Sequence, residues 1–473
     1  MWQLVLCFLL VLLANCTQRL DLKGKQCPCA SGYVCDTSRN VCVLPGELDV
    51  LADASPLDSG KDTGSDIISD TDLPDGGPEP SSPVIALAAG AAHNCALFED
   101  ATMRCWGANH IGQLGYGNTA NIGDDEVPGS VDVVSAGGEV AQIVTAAAHS
   151  CARLSDGNVR CWGFAAFGQL GYGDTSVIGD NEHPSSVGTV SLGGLVDQLT
   201  SSSQHTCVLL NDGAVRCWGE GSSGRLGYGN TLDVGDGELP SSVGPVNTGG
   251  TVVELAAGGS HTCALFDNGA MRCWGSSLSG QLGYGNTQDI GDNELPSSVG
   301  TISVGGTVTQ MAVGGHHTCA LLQDGSMRCW GNGLFGQLGY GNTDNIGNDE
   351  LPSSVGTISV GGTVTQIAAG SNHTCALLED GSMRCWGKND DGQLGYGHTN
   401  MIGDDELPSS VSTVDVGGSV VQIVAGEYHT CALLDDDSVR CWGKGTSGQL
   451  GYGGTSSVGN DEHPSSVEPL ELR

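Results

Sequence analysis

The sequence predicts an all-β fold, a closed seven-bladed β-propeller of four-stranded blades, and three observations carry that expectation. The first is a period of 56 residues from Val84 onward, marked without gaps by Cys95, Cys151, Cys207, Cys263, Cys319, Cys375 and Cys431. A repeat of this length points to a solenoid or a propeller. The second is the pattern inside each repeat, where short runs of β-forming and small residues are broken by Gly- and Asp-containing turns, with no amphipathic helical period. The third is composition. With 76 glycines and only 5% aromatic residues in 473, the chain suits short strands and tight turns.

Three segments precede the repeats. Residues 1–15 are nearly all apolar from Leu4 to Ala14, too short a run to span a bilayer comfortably, and read as a signal peptide. The run ends in Leu13-Ala14-Asn15-Cys16, which resembles the lipobox of bacterial lipoproteins and implies a lipid anchor on Cys16. Asn15 stands where that box has a small residue, and no Lys or Arg precedes Leu4, so a plain secretory signal is the alternative. Residues 16–43 form an anchor and Cys-rich segment, in which Cys27, Cys29, Cys35 and Cys42 read as a second, two-disulfide set with three possible connectivities. Residues 44–83 carry ten acids and one base among Ser, Gly and Pro, the composition of a solvated, self-repelling, disordered linker. The repeats fill residues 84–473.

The sixth repeat shows why each unit should be a blade. Thr363–Gly370, His373–Leu378 and Ser382–Gly387 read as three strands, and Val411–Val416 as a fourth after a long polar loop. Glu379-Asp380-Gly381 is a three-residue hairpin loop with glycine at the position that needs a positive φ. Ala101 and Asp437 replace that glycine in the first and last repeats, so slightly different turns are expected there. Counting back from the loop sets Cys375 opposite Cys385 in a non-hydrogen-bonded pair, where Cα atoms lie about 4.5 Å apart, at the short end of what a disulfide accepts. The same ten-residue separation pairs Cys95 with Cys105, Cys151 with Cys161, Cys207 with Cys217, Cys263 with Cys273, Cys319 with Cys329, and Cys431 with Cys441. Seven intrablade bridges are therefore expected in an exported chain, the alternative being fourteen buried thiols.

The segment Ala368-Ala369-Gly370-Ser371-Asn372-His373-Thr374-Cys375-Ala376-Leu377-Leu378-Glu379-Asp380-Gly381-Ser382-Met383-Arg384-Cys385-Trp386-Gly387, followed by Gly392-Gln393-Leu394-Gly395-Tyr396-Gly397, resembles the regulator of chromosome condensation repeat. The resemblance covers residues 84–473 and implies a seven-bladed propeller of four-stranded blades. The paired cysteines and the Ile-Gly-Asp-x-Glu-Leu-Pro-Ser-Ser-Val segment resemble a bacterial exported branch of that family.

Residues identical in every repeat are read as architecture, because a reactive site must break the symmetry. The histidines His93, His149, His205, His261, His317, His373 and His429 are expected to bond backbone groups near the Gly-rich turn. Trp106, Trp162, Trp218, Trp274, Trp330, Trp386 and Trp442 are expected in the blade cores, as are the Gly-Gln-Leu-Gly segments, with Arg225 their single departure. The acidic loops, such as Asp124-Asp125-Glu126, Asp180-Asn181-Glu182, Asp292-Asn293-Glu294 and Asp404-Asp405-Glu406, could hold Ca²⁺ but lack the alternating ligand spacing of a calcium loop. They read as solvated loops, and no cofactor is expected. Specificity should lie where the repeats disagree, after each tryptophan. Asn109-His110-Ile111, Phe164 and Phe167, Leu334-Phe335 and Lys388-Asn389-Asp390-Asp391 lie there, and Phe164, Phe167 and Phe335 are the candidate binding rim, packing against the adjacent blade being the alternative.

A formal charge of −37, with 12 bases against 42 acids in the repeats, argues against nucleic acid as a partner. The same charge, with export and disulfides, counts against guanine-nucleotide exchange of the nuclear branch. No nucleophile elbow, zinc-protease motif or P-loop occurs, so a hydrolase or lyase has no visible site and the chain reads as a non-enzyme. The expectation is an extracytoplasmic, surface-anchored or secreted monomer that binds a protein or surface polymer. A secreted propeller inhibitor of an enzyme is the nearest alternative.

Overall fold

A computed structural model describes residues 82–473 and two short strands nearer the N-terminus, Val34–Asp36 and Val41–Val43. The chain divides into two compact units, Met1–Gly77 and Pro78–Arg473. In the first, the two strands pair antiparallel with Cys35 directly opposite Cys42. The expectations for the signal peptide, Cys16, Cys27, Cys29 and all but the last two residues of the linker fall outside the described residues.

The second unit is seven antiparallel sheets, one per repeat. In blade six the inner strand is Val364–Ala369, the middle strand His373–Leu378 and the outer strand Met383–Gly387. The other blades repeat this arrangement, from Val84–Ala89 in blade one to Val420–Ala425 in blade seven. Among the described residues there is no α-helix, only short 3₁₀ turns such as Pro408–Ser410. Each inner strand lies beside the next, and that of blade seven lies beside that of blade one, so the ring is closed. The seven tryptophans are fully buried within the blades.

The hairpin register follows the turn. Ala376 faces Arg384 and Cys375 faces Cys385 in blade six. The same register sets Cys105 opposite Cys95, Cys161 opposite Cys151 and Cys217 opposite Cys207. It likewise sets Cys273 opposite Cys263, Cys329 opposite Cys319 and Cys441 opposite Cys431. All seven pairs are joined as disulfides, with Cα atoms 4.0–4.1 Å apart. The Cα separation is thus somewhat shorter than the roughly 4.5 Å typical of a non-hydrogen-bonded pair, because the bridge draws the two strands together. The outer-strand cysteines Cys105, Cys161, Cys217, Cys273, Cys329, Cys385 and Cys441 are all completely buried, so each bridge lies inside its blade.

Two expectations need correction. The sheets have three strands, not four. Val411–Val416 runs along the outer strand with one backbone bond, Val414 N–H to Met383 O at 3.0 Å, and forms no ladder. A tyrosine occupies the edge instead. The Tyr396 hydroxyl accepts from Cys385 N–H and donates to Cys385 O, both at 3.2 Å. One hydroxyl thus satisfies both main-chain groups that a fourth strand would have paired, and blunts an exposed edge. The equivalent tyrosine accepts from the outer-strand cysteine N–H in every blade.

The hairpins of blades one and seven do not adopt a different turn either. Ala101 and Asp437 hold φ of 65° and 66°, in the same left-handed region as Gly381 at 80°. The cross-hairpin bonding holds the backbone there, and the side chains accept the strain.

The C-terminus straps the ring rather than adding a strand to blade one. Leu470 N–H bonds to Val439 O in blade seven at 2.9 Å, while Glu471 O accepts from Gly129 N–H at 2.7 Å and Leu472 O from the Arg104 guanidinium.

Candidate functional site

The seams between blades explain the repeated polar residues. In blade five, His317 Nε2 lies 2.8 Å from Thr374 Oγ1 of blade six. The threonine hydroxyl donates to Gln337 O at 2.9 Å, and Trp386 Nε1 donates to the same carbonyl at 3.0 Å. Because the hydroxyl proton goes to the carbonyl, the histidine must carry its proton on Nε2 and donate. The closing seam shows the same polarity. Asn94 of blade one donates through Nδ2 to Gln449 O at 2.7 Å, and its Oδ1 accepts from His429 Nε2 at 2.7 Å. The histidine side chains thus reach a side chain in the next blade, not backbone near their own turn. Burial holds His93, His149, His261, His317 and His429 neutral, with pKa lowered to about 3, and His373 to about 4. They are structural linkers.

A second seam contact lies on the inner strands. Gln142 Nε2 donates to Leu199 O at 2.8 Å and its Oε1 accepts from Leu199 N–H at 3.0 Å. Gln198 and Gln366 make the same pair of bonds to the next blade. Two repeats depart. Ala86 has no side chain to make this link. Glu254 accepts from Met311 N–H at 3.4 Å but, when ionised, has no proton for the carbonyl that glutamine reaches. Its burial raises the carboxyl to about 7.

Function is to be sought where this regularity fails, and the failures collect on one end of the ring. The inner-to-middle turns and the loops after the tryptophans are joined by backbone bonds, such as Glu220 N–H to Gln204 O and Lys388 N–H to Asn372 O, both 2.9 Å. They therefore share one face, here the upper face, and surround a central cavity of about 540 Å³. Most of its lining is Gly and Ala, but blade three contributes Ser201-Ser202-Ser203-Gln204, Glu220 and Arg225. Arg225 Nη1 bonds Glu220 Oε2 at 2.7 Å, Nη2 bonds Ser222 Oγ at 2.7 Å, and Nε bonds Ser222 O at 3.1 Å. Ser222 in turn donates to Glu220 Oε1 at 2.7 Å. Burial pulls Arg225 below its ordinary pKa, and the neighbouring Glu220 opposes that.

The substitution has structural consequences. In the other six blades the glutamine Oε1 accepts from the backbone N–H two residues earlier, as in Phe335 N–H to Gln337 at 2.9 Å. In blade three that acceptor is missing and Ser223 sits at a φ of 56°. Ser203, on the adjoining turn, is at 23°. Together with Ala101 and Asp437 these are the four non-glycine residues at positive φ among the described residues. Trp274, which packs against this seam, alone among the seven tryptophans of the blades leaves Nε1 without a partner.

The predicted rim lies on the same face. Phe164 and Phe167 are half-buried and meet edge to face at 6.2 Å. Phe335 is half-buried under the Lys388 ammonium, 5.4 Å from the ring centroid. Lys388 and Lys444, the two lysines of the propeller, both approach the Tyr428 ring, at 5.8 and 4.9 Å. Three leucines that sequence reasoning passed over or left unweighted are the most exposed large hydrophobics described: Leu278 at 80%, Leu232 at 71% and Leu334 at 60%. The upper face therefore carries its exposed apolar side chains on blades two to five, interrupted by the Glu220–Arg225 pair of blade three, and its lysines on blades six and seven. Glu220 was also missed. Setting the seven loops in register exposes the signal, a Glu and an Arg five residues apart in one repeat only. Of the acidic loops, Asp124-Asp125-Glu126 and Asp404-Asp405-Glu406 each bring three carboxylates within 4.8 Å. Burial and the neighbouring acids raise Glu126 to about 7.

Comparison with known proteins agrees with this architecture. A family model described as the RCC1-like domain matches residues 61–345 and 180–472. The ultraviolet-B receptor UVR8 of Arabidopsis thaliana is 32% identical over 375 residues, covering 79% of this chain and 80% of the receptor. The human E3 ubiquitin-protein ligase HERC2 is 29% identical over 359 residues, which make up 76% of this chain but 7% of the ligase. Among solved structures, yeast RCC1 (Prp20) bound to Kap60 superposes with a TM-score of 0.59 at 20% identity, covering 75% of this chain and 81% of that one. Human WBSCR16 gives 0.57 at 22% identity, covering 74% and 86%. At such identities the structures speak for the fold alone. With its seven gap-free repeats and a closed ring of blades, the chain belongs to the RCC1-like domain family.

Proposed function

We propose that this chain is a non-enzymatic binding scaffold that works outside the cytoplasm and presents its upper face to a partner. The observation that carries the reading is the division of labour between positions. Residues shared by all seven blades are spent on seams, cores and edges, whereas the exposed leucines, the rim phenylalanines and the two lysines gather on one face. Exposed apolar residues grouped beside charged ones are the surface a partner covers. The seven cross-hairpin disulfides support an oxidising compartment, since so many would not persist among cytosolic reductants. Anchoring through Cys16 belongs to the same reading, with residues 44–83 as a spacer.

The test is photo-crosslinking on intact cells from the native source, with the crosslinker placed beside the rim. Two double variants are compared, one carrying Phe164→Ala with Phe167→Ala and the other Leu334→Ala with Phe335→Ala. Each should lose the crosslinked partner while keeping the melting temperature within a few degrees. Undiminished crosslinking in both would overturn the rim, and a chain inaccessible to protease added outside the cell would overturn the location.

A further inference from the structure

We infer that the channel mouth at blade three is a subsite for a neutral polyhydroxyl ligand, a saccharide residue that presents adjacent hydroxyls. This deepens the binding reading by naming a ligand class for one part of the upper face, and it stands or falls separately from the aromatic rim.

The cavity, at about 540 Å³, is of the size that small ligands occupy. Its polar lining is densest at blade three, with single polar residues such as Ser260, His316, Ser371 and Glu427 from later blades. At one equivalent position near the end of the inner strand five blades supply Ala or Val, whereas blades two and three supply Thr145 and Ser201. Both residues line the cavity, Thr145 is 8% exposed, and both hydroxyl oxygens are buried without a hydrogen-bond partner. Turning either about χ1 toward the cavity breaks no hydrogen bond and relieves an unmade one. Arg225, which lines the same cavity, is 6% exposed and engages three groups in this structure. A guanidinium has five N–H donors, so donors remain for a ligand. Glu220 supplies the complementary acceptor. Donor and acceptor held side by side in a fixed ion pair match two neighbouring hydroxyls, each of which both gives and takes a hydrogen bond.

Charge selects against an anion. Glu220 cancels Arg225, Glu427 lines the same mouth from blade seven, and the propeller carries 42 acids against 12 bases. The backbone is also held in unfavourable conformations at Ser203 and Ser223, in this blade alone among the channel turns and post-tryptophan loops. Strain of this kind persists where surrounding structure holds it and collects at ligand clamps.

The full chain would be titrated with D-glucose, D-galactose and D-mannose, following the Arg225 Nε–Hε resonance, with acetate as the anionic comparison. At least one hexose should shift that resonance saturably at millimolar concentration, and acetate should not. Calorimetry with the same hexose should show roughly tenfold weaker binding, equivalent to about 1.4 kcal/mol, for Arg225→Gln and a clear loss for Thr145→Ala. The glutamine is the residue of the other six blades, so this variant keeps the local fold. No saturable shift with any hexose would overturn the proposal, as would equal affinity in Arg225→Gln, and saturation by acetate alone would replace it with an anion site. Intact crosslinking at the rim alongside any of these failures would leave the scaffold reading standing.

Discussion

Blade three and the other six share one strand framework but differ in side chains and in the backbone at Ser203 and Ser223, and the difference separates what holds the ring from what is free to vary. In six blades the glutamine after the loop glycine turns its side chain back onto its own backbone, and its main-chain carbonyl receives the next blade's tryptophan. In blade three Arg225 turns to Glu220 and Ser222, yet Thr262 Oγ1 still donates to Arg225 O at 2.9 Å. The seam is carried by a carbonyl that any residue supplies, so the side chain can be exchanged. The exchange is not neutral, because Trp274 Nε1 loses its acceptor. A departure that weakens a seam and adds polar groups to a cavity is what a site retained at some expense of stability looks like.

The largest way to break the regular half of this comparison is acid. The seam histidines are neutral when folded, with pKa held near 3 by burial against an unfolded value of 6.5. A folded pKa below the unfolded one means that the unfolded chain binds more protons, so the stabilisation is complete above pH 6.5 and is lost as pH falls toward 3. Chemical denaturation between pH 7 and 4 should show the midpoint falling steadily. A midpoint flat over that range would contradict the seam assignment.

Removing one staple comes next. Replacing both Cys375 and Cys385 by alanine should cost about 2–3 kcal/mol, the stabilisation expected of a short disulfide loop, measured against wild type under oxidising conditions. The two chains should converge once reductant is added.

Glu254 sharpens the comparison at a single seam. Its raised pKa, about 7, lies above the unfolded 4.5, so the folded chain holds the extra proton. The associated stability is present below pH 4.5 and disappears as pH rises through 7. Glu254→Gln restores the bidentate link that Gln142 makes to Leu199. It should stabilise by about 1 kcal/mol at pH 8 and by distinctly less at pH 5; an equal gain at both would rule out titration of this carboxyl. The smallest effect is expected at the hairpins. Ala101→Gly should add about 1 kcal/mol or less, the roughly 1–2 kcal/mol cost of the left-handed conformation reduced by the extra entropy glycine loses on folding, and Asp437→Gly less, because aspartate tolerates that region better.

The sequence made the local geometry legible. The Glu-Asp-Gly loop determines the hairpin register, and the register brings Cys375 to Cys385 without any knowledge of the rest of the blade. Val411–Val416 misled because its alternation resembles a strand, while the group that satisfies the outer edge is Tyr396, whose hydroxyl arrives from a loop with no strand pattern. The histidines were legible as structural by their regularity, but six of their partners lie 57 residues away in the next blade and the seventh, Asn94, lies 335 residues away across the closing seam, beyond any local rule. The channel mouth was the least legible part. It is assembled from turns spaced 56 residues apart, and Glu220 stands out only when the seven loops are set in register, while its pairing with Arg225 is seen only in the fold.

Thermal unfolding of the Arg225→Gln variant tests the central claim, that repeated positions hold the ring and blade three departs from them at a cost. Restoring glutamine returns an acceptor to the Ser223 backbone and lets the Trp274 indole regain its carbonyl, worth about 1 kcal/mol, so the melting temperature should rise by a degree or more. A melting temperature below that of the wild type would show that Arg225 stabilises blade three, and would contradict the account.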